Sequence, residues 1–524
     1  MAADDDMLDR IPQKTPWKNW HETIVGPIKG VYNVWYPSDR PTYNAATINR
    51  CTAQLQKALA EAKAASTPVH VVGRGWSLSE AVLVRNGWLI DMTRLNGMRP
   101  LARDQIDPGH PGDASERNRL WMIQGGAYLS EIDQTLERDE FARSLHTSGA
   151  ANGQTIVGAT ATGTHGSRLG FPALHDTIVS IHLLAGENQQ YWIERASHPV
   201  VDPSIPNALG ATLLRDDDIF NAVVVGIGAF GIIHNVVIET RSRIYLRSVN
   251  IDDDGHGSHL TLDDAMRDVI RTLDCNAHPR LRDPDGKRPY FFQPIVDPNG
   301  SPPRVLVTLM YEEDWPAGYR PNYAMRASKP GPGYDFISVA GALLDIFQPG
   351  VPLFAQVASA QLVDKGTKYG SWGEQFGYRA PQTKVASGSV AVDQADGLRA
   401  LDALIALNHR LGGVPLVFSC RYVTGSKALL AMNRFDHTVV IGLDGIWNHQ
   451  SLAFFDAIPS CMAAAGITFT QHWGKSNAWD KQRVAAVYGP DYDKWIAARH
   501  RLLPDARDRD LFTNDYMRLR GLNA

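Results

Sequence analysis

Three glycine-rich segments, each joined to an apolar run, constrain this chain more than any other feature. They are VHVVGRGWSLSE (69–80), QTIVGATATGTHGS (154–167) and VVVGIGAFGIIHNVVIE (223–239). Gly73, Gly75 and Ser77 follow the VHVV strand directly, where glycine allows positive φ and lets several N–H groups converge on one anion. A tight β-turn is the simpler reading of that loop taken alone. No GK[ST] follows at Walker spacing and the third Rossmann glycine is missing, so neither nucleotide fingerprint applies. In the second segment Gly158, Gly163 and Gly166 alternate with Ala and Thr, leaving backbone and hydroxyl donors uncovered for a pyrophosphate, or else forming a small-residue packing seam. Gly226, Gly228 and Gly231 of the third again let something flat or polar approach the chain.

The 524 residues allow two or three domains at ~150 residues each. A net charge of −4 gives no basic field for nucleic acid. No apolar stretch of ~18 residues predicts a membrane span, and the acidic N-terminus lacks a secretory core segment, so a cytoplasmic location is expected. Cys51, Cys275, Cys420 and Cys461 are widely spaced, which argues for reduced thiols and no metal site.

Periodicity predicts a helix over 45–65, strands at VHVV, WLIDM, WMIQGGA and TIVSIHLLAG, and a helix in YLSEIDQTLERD capped by Ser130. Residues 221–239 read as strand–turn–strand. Further helices are expected at 262–273, 393–411 and 451–465, and a Tyr- and Arg-rich helical tail follows ITFTQHWGKSN. The texture changes near residue 245, where a domain boundary is placed.

Together with QHWGK (471–475), the three segments resemble the vanillyl-alcohol-oxidase-type (PCMH) FAD flavoproteins, in the branch of alditol oxidases, sugar-lactone oxidases and flavin-type cholesterol oxidases. The likeness covers ~35–240 well, the tail fairly and the middle weakly. It implies an α+β fold: a two-subdomain FAD-binding domain (1–244), a substrate-binding cap with an antiparallel sheet flanked by helices (245–465), and a C-terminal segment (466–524) returning to the first domain. It also implies that Gly73, Arg74, Gly75, Ser77 and Leu78 wrap the pyrophosphate. Thr160, Thr162, Gly163, Thr164, His165 and Gly166 would line the rest of the FAD, with Ile227, Gly228 and Ile232 near adenine or flavin; His165 reads equally as a structural histidine.

Many relatives carry a histidine bonded to the flavin in the first loop, where this chain has Trp76. Indole offers no comparable nucleophile, so non-covalent FAD is expected, with Trp76 packed against the flavin edge. The implied chemistry is oxidation of a hydroxyl-bearing (CH–OH) small molecule by hydride transfer to flavin, with oxygen or another acceptor taking the electrons. Oxidation of a C–N or C–C bond, or flavin binding without catalysis, are the alternatives. Lys475 and Arg421 match family cations near the flavin, though each also reads as a strand-end surface charge. The family's E-x-R pair is here Ser419-Cys420-Arg421, without the glutamate, which leaves His472 as the nearest proton acceptor or a packed histidine beside Trp473. Tyr422 and Glu374 are weaker candidates. Cap aromatics (Trp372, Phe376, Tyr378, Trp447, Phe454, Phe455), if any face the flavin, favour a partly apolar or ring-bearing substrate.

Overall fold

The computed structural model describes residues 7–35, 43–111, 119–149, 151–323, 366–377, 382 and 384–524; Tyr378 lies outside them. The long N-terminal helix Ala45–Ala64 forms because Asn44 caps it through Thr47 N and because Ile48, Cys51, Leu55, Ala58, Leu59 and Ala62 recur on one buried stripe. It packs beside a four-stranded sheet in the order Leu8–Pro12, Gly30–Val34, Trp88–Asp91, Val69–Val72, with the last two contacts parallel. A second, six-stranded sheet runs Thr212–Arg215, Gln190–Glu194, Ile178–Leu184, Ile232–Glu239, Leu120–Gln124, Met98–Pro100. Ile178–Leu184 is buried on both faces, which accounts for its largely apolar sequence, and its two polar residues, Ser180 and His182, are hydrogen-bonded to Glu194 and Asn235.

The third sheet is antiparallel and eight-stranded: Gly366–Ser371, Tyr245–Ile251, Arg304–Glu313, Phe291–Asp297, Leu416–Thr424, His437–Ile446, Val385–Asp393, Thr470–Gln471. Strand alternation separates its faces. Phe418, Cys420, Tyr422, Ile441 and Leu443 point into a core shared with helices Asp264–Thr272, Gly397–Arg410 and His449–Ala464. Ser387, Ser389, Ser419, Arg421 and Asp444 share the opposite face, since Ser387 pairs with Asp444 and Ser389 and Ser419 both pair with Gly442. The protein is thus α+β, two sheets with a helix-flanked antiparallel cap sheet.

The tail folds back as four helices, Lys481–Tyr488, Pro490–Leu502, Ala506–Leu511 and Asp515–Leu519. Asn514 Nδ2 donates to Ala81 O and Leu83 O at 2.9 and 3.1 Å, and the fully buried Arg499 donates to Ala229 O at 2.9 Å and to Ala524 O at 2.9 Å. These buried bonds, charge-assisted for Arg499, tie the chain's end to the loop after Val69–Val72 and to the turn before Ile232.

Two local expectations are corrected. Residues 217–223 are helical, with strand structure beginning only at Ile232; the Asp216 side chain caps Ile219 N, and burial of Ile219, Phe220, Ala222 and Val223 outweighs the β-branched character of Ile219 and Val223. The helix Leu129–Leu136 starts at Tyr128, whose N–H is held by Glu131 Oε2 at 3.2 Å, so Ser130 lies inside the first turn.

Candidate functional site

A deep cavity opens where the first two sheets, the cap sheet and the returning tail meet. The space in it, open mouth included, is about 1630 Å³. All three glycine segments reach it. The wall holds Gly73, Arg74, Gly75, Trp76, Ser77 and Leu78 from the first, Gly158, Thr162, Thr164 and His165 from the second, and Gly226, Ile227, Gly228 and Gly231 from the third.

Several of these glycines are required by contact. A Cβ on Gly73 would fall 2.1 Å from Thr155 Oγ1, and one on Gly228 would fall 2.5 Å from His70 Cε1. Gly75 (φ 68°) and Gly228 (φ 79°) are left-handed, and so is Ile227 (φ 54°). For a β-branched residue that conformation costs on the order of 1–3 kcal/mol, a strain that concentrates at ligand-clamping sites. Bare backbone on one wall, strain on another and buried polar atoms between them, His70 Nδ1 and Trp76 Nε1, that have no hydrogen-bond partner among the described residues, suit a long, flat, polar cofactor such as FAD.

The first loop is locked by distant parts of the chain. Leu78 N donates to Gly474 O at 2.7 Å and Ser79 Oγ to Trp473 O at 2.6 Å, while Trp20 N donates to Gly75 O at 2.8 Å. Trp76 stacks 6.2 Å from Trp20, and its indole fills the space where a side chain on Gly153 would sit.

Arg421, His472, Gly474 and Lys475 close the cap side of the cavity. Lys475 Nζ lies 3.3 Å from Oδ1 of the fully buried Asp444, which also accepts the Ser387 hydroxyl. His472 Nδ1 accepts the Gly474 N–H at 2.9 Å, so a neutral His472 carries its proton on Nε2. His165 is the reverse. Its Nδ1 faces Gly166 O at 3.1 Å, and since a carbonyl only accepts, Nδ1 must donate. Burial, then the charges of Arg421 and Lys475, hold its pKa well below 6.5, so the ring is neutral.

The remaining expected residues lie elsewhere. Thr160 is a buried helix residue whose hydroxyl donates to Ile156 O at 2.9 Å; Gly166 packs on Thr147 and Ser148; Gly163 forms a left-handed turn; Ile232 starts a core strand. Tyr422 points to the helix side of the cap sheet, donating to Ile270 O at 3.1 Å. Glu374 accepts from Tyr319 and Asn322 away from the cavity. Phe454 and Phe455 belong to the helix-side core and Trp372 and Phe376 to the other core, so these aromatics do not face the cavity. Among lining residues that sequence reading passed over, His70 was visible as the one polar residue in its apolar strand, and Thr155 as the first threonine of the second segment. His21, brought in by the N-terminal hairpin, left no local signal.

Residues 45–193 match the family described as FAD binding domain. Across 96% of this chain and 98% of its own length, L-gulono-1,4-lactone dehydrogenase of Mycobacterium tuberculosis is 24% identical. D-arabinono-1,4-lactone oxidase of Debaryomyces hansenii is 21% identical over 42% of this chain and 36% of its own. Among solved structures, a solvent-stable cholesterol oxidase superposes with a TM-score of 0.66 at 14% identity, covering 99% of both chains. The cholesterol oxidase of B. sterolicum does so at 0.64 and 13%, covering 98% of this chain and 97% of its own. The chain therefore carries a PCMH-type FAD-binding domain beneath a cap of the same architecture. It is an FAD-dependent oxidoreductase, similar in sequence to sugar-lactone dehydrogenases and oxidases and in fold to cholesterol oxidases.

Proposed function

We propose that the protein oxidises a CH–OH carbon of a small hydroxylated, ring-bearing molecule, with non-covalent FAD as the two-electron acceptor and oxygen or another acceptor restoring it. The observation that carries this reading is the convergence of three glycine segments and two cations, Arg421 and Lys475, on one cavity. We take 1–244 as the FAD-binding part, 245–465 as the cap and 466–524 as the returning segment.

When bound, FAD supplies the oxidant that accepts a hydride from the substrate carbon. The chain's own residues do the rest. Gly73, Arg74, Gly75, Ser77 and Leu78 hold the cofactor's phosphates through close backbone approach, and Thr162, Thr164, His165, Ile227 and Gly228 line its remainder. Lys475, steadied by Asp444, and Arg421 stabilise negative charge that develops during the reaction. Trp76 in the place of a histidine supports release of the cofactor on denaturation.

Substrate class rests on the sheet face that carries Arg421. Ser387, Ser389, Ser419 and Asp444 share it and make it polar, whereas Trp372, Phe376, Phe454 and Phe455 face other cores and Trp447 lies at the surface. This favours a lactone or similar sugar derivative, the class named for the mycobacterial and yeast relatives, over a sterol. Anaerobic titration of the holoenzyme with L-gulono-1,4-lactone and, separately, cholesterol tests it: bleaching of the flavin band by the lactone alone is expected. Bleaching by cholesterol alone overturns the substrate class, and bleaching by neither those nor a wider panel of alditols and lactones overturns the CH–OH reading.

A further inference from the structure

The E-x-R pattern leaves a chemical gap: with serine at 419, no carboxylate stands two residues before Arg421 to receive the substrate's hydroxyl proton. Two histidines line the cavity beside the cations, with ring centroids 6.0 Å apart. Their backbone partners decide between them. The Gly474 N–H occupies Nδ1 of His472, so the neutral ring presents Nε2–H, a donor. The carbonyl of Gly166 occupies Nδ1–H of His165, which leaves Nε2 as the ring nitrogen with a lone pair to offer.

We propose that His165 is the proton acceptor of the reaction, with His472 opposite it as a hydrogen-bond donor. The proposal rests on the CH–OH reading above. As the carbinol O–H breaks, its proton passes to His165 Nε2 while the C–H hydrogen leaves with both bond electrons for the bound FAD; the carbon–oxygen bond becomes C=O, and the imidazole becomes imidazolium. Nδ1–H keeps its bond to Gly166 O throughout and fixes the ring. The charged groups that face His165 are Arg421 on the cap strand and Lys475 on the returning segment, with His175 on the FAD side and His472 across the cavity. The two cations hold the ring unprotonated before the reaction and make the imidazolium a strong acid after it, ready to release the proton. Sequence alone leaves His165 as a cofactor-lining or structural histidine and His472 as a proton acceptor or a packed ring beside Trp473; the two backbone contacts favour His165 as the acceptor.

His165→Asn separates the two functions of the ring, because an asparagine Nδ2 can still donate to Gly166 O but no nitrogen acceptor remains. In ¹⁵N spectra of histidine-labelled holoenzyme, the His165 signals, assigned by their loss in this variant, are expected to show a bare Nε2 and a protonated Nδ1 between about pH 6 and 8. A protonated Nε2 overturns the proposal whatever the substrate is. On anaerobic mixing with L-gulono-1,4-lactone, the variant is expected to reduce its flavin about 10²–10⁴-fold more slowly near neutrality. The rate should recover as pH rises, each rate being taken per bound FAD. A variant whose rate and pH profile match wild type also overturns it. If the lactone leaves the wild-type flavin oxidised, the functional reading fails instead, and the nitrogen spectrum alone decides the role of His165.

Discussion

Lys475 works as a cation only if Asp444 keeps it in place, and that coupling can be measured. Asp444 is fully buried and the Lys475 side chain is 12% exposed, with Nζ and Oδ1 3.3 Å apart. At an effective dielectric near 20 that separation corresponds to a gross attraction of about 5 kcal/mol, much of it offset by the cost of burying both charges. Removing one partner leaves the other buried without its counter-charge, which typically costs about 3–5 kcal/mol. Asp444→Asn preserves shape and an acceptor for Ser387, so about 3 kcal/mol is expected, and a similar loss for Lys475→Met. The double variant should lose clearly less than the sum, because it leaves no orphaned charge. A coupling of about 2 kcal/mol is therefore expected in a double-mutant cycle, read from denaturant unfolding followed by flavin fluorescence. The same variants should show Lys475→Met slowing anaerobic flavin reduction by about 10²–10³-fold and Asp444→Asn slowing it less. Single effects that simply add, within about 0.5 kcal/mol, would refute the claim that the carboxylate positions the ammonium.

Three other outcomes are expected. Gly73→Ala puts a methyl 2.1 Å from Thr155 Oγ1 and should yield protein depleted in FAD, with partial recovery in Gly73→Ala/Thr155→Ala; an unchanged flavin-to-protein ratio in the single variant would contradict the close approach. Acid precipitation should release yellow FAD into the supernatant, whereas flavin that stays with the pellet would mean a tether exists elsewhere. The third concerns Glu137, which accepts Tyr323 Oη at 2.6 Å, Ser371 Oγ at 2.7 Å and Gly373 N at 2.8 Å. Burial raises its pKa from 4.5 to about 7, against the pull of those three donors. A raised carboxylate favours folding fully below pH 4.5 and loses that contribution as pH rises through about 7, since the unfolded chain ionises first. The 2.5-unit difference is worth about 3 kcal/mol. Glu137→Gln should flatten the fall in stability between those pH values, and an unchanged pH slope would show that Glu137 is not its source.

Much of the cofactor half was legible in the sequence because close backbone approach demands glycine, and glycine is visible in one dimension. The strands at 69–72 and 88–91, the helix 45–64 and the cap helices followed from periodicity, which is local. Residues 217–223 escaped because a capping aspartate and a surrounding core, not the β-branched side chains, decided their form. Thr160, Gly166 and Ile232 lie in a motif's text yet outside its cavity, since neighbours in sequence take opposite sides of a short helix or a strand. What only the tertiary structure decided is the wall around Arg421 and Lys475. Asp444 reaches Lys475 across 31 residues of sequence and a strand pairing. The proton-bearing nitrogens of His165 and His472 are set by which backbone group each ring meets. Side-chain type is written in the chain; charge state and partner are set by what folding brings within hydrogen-bond distance.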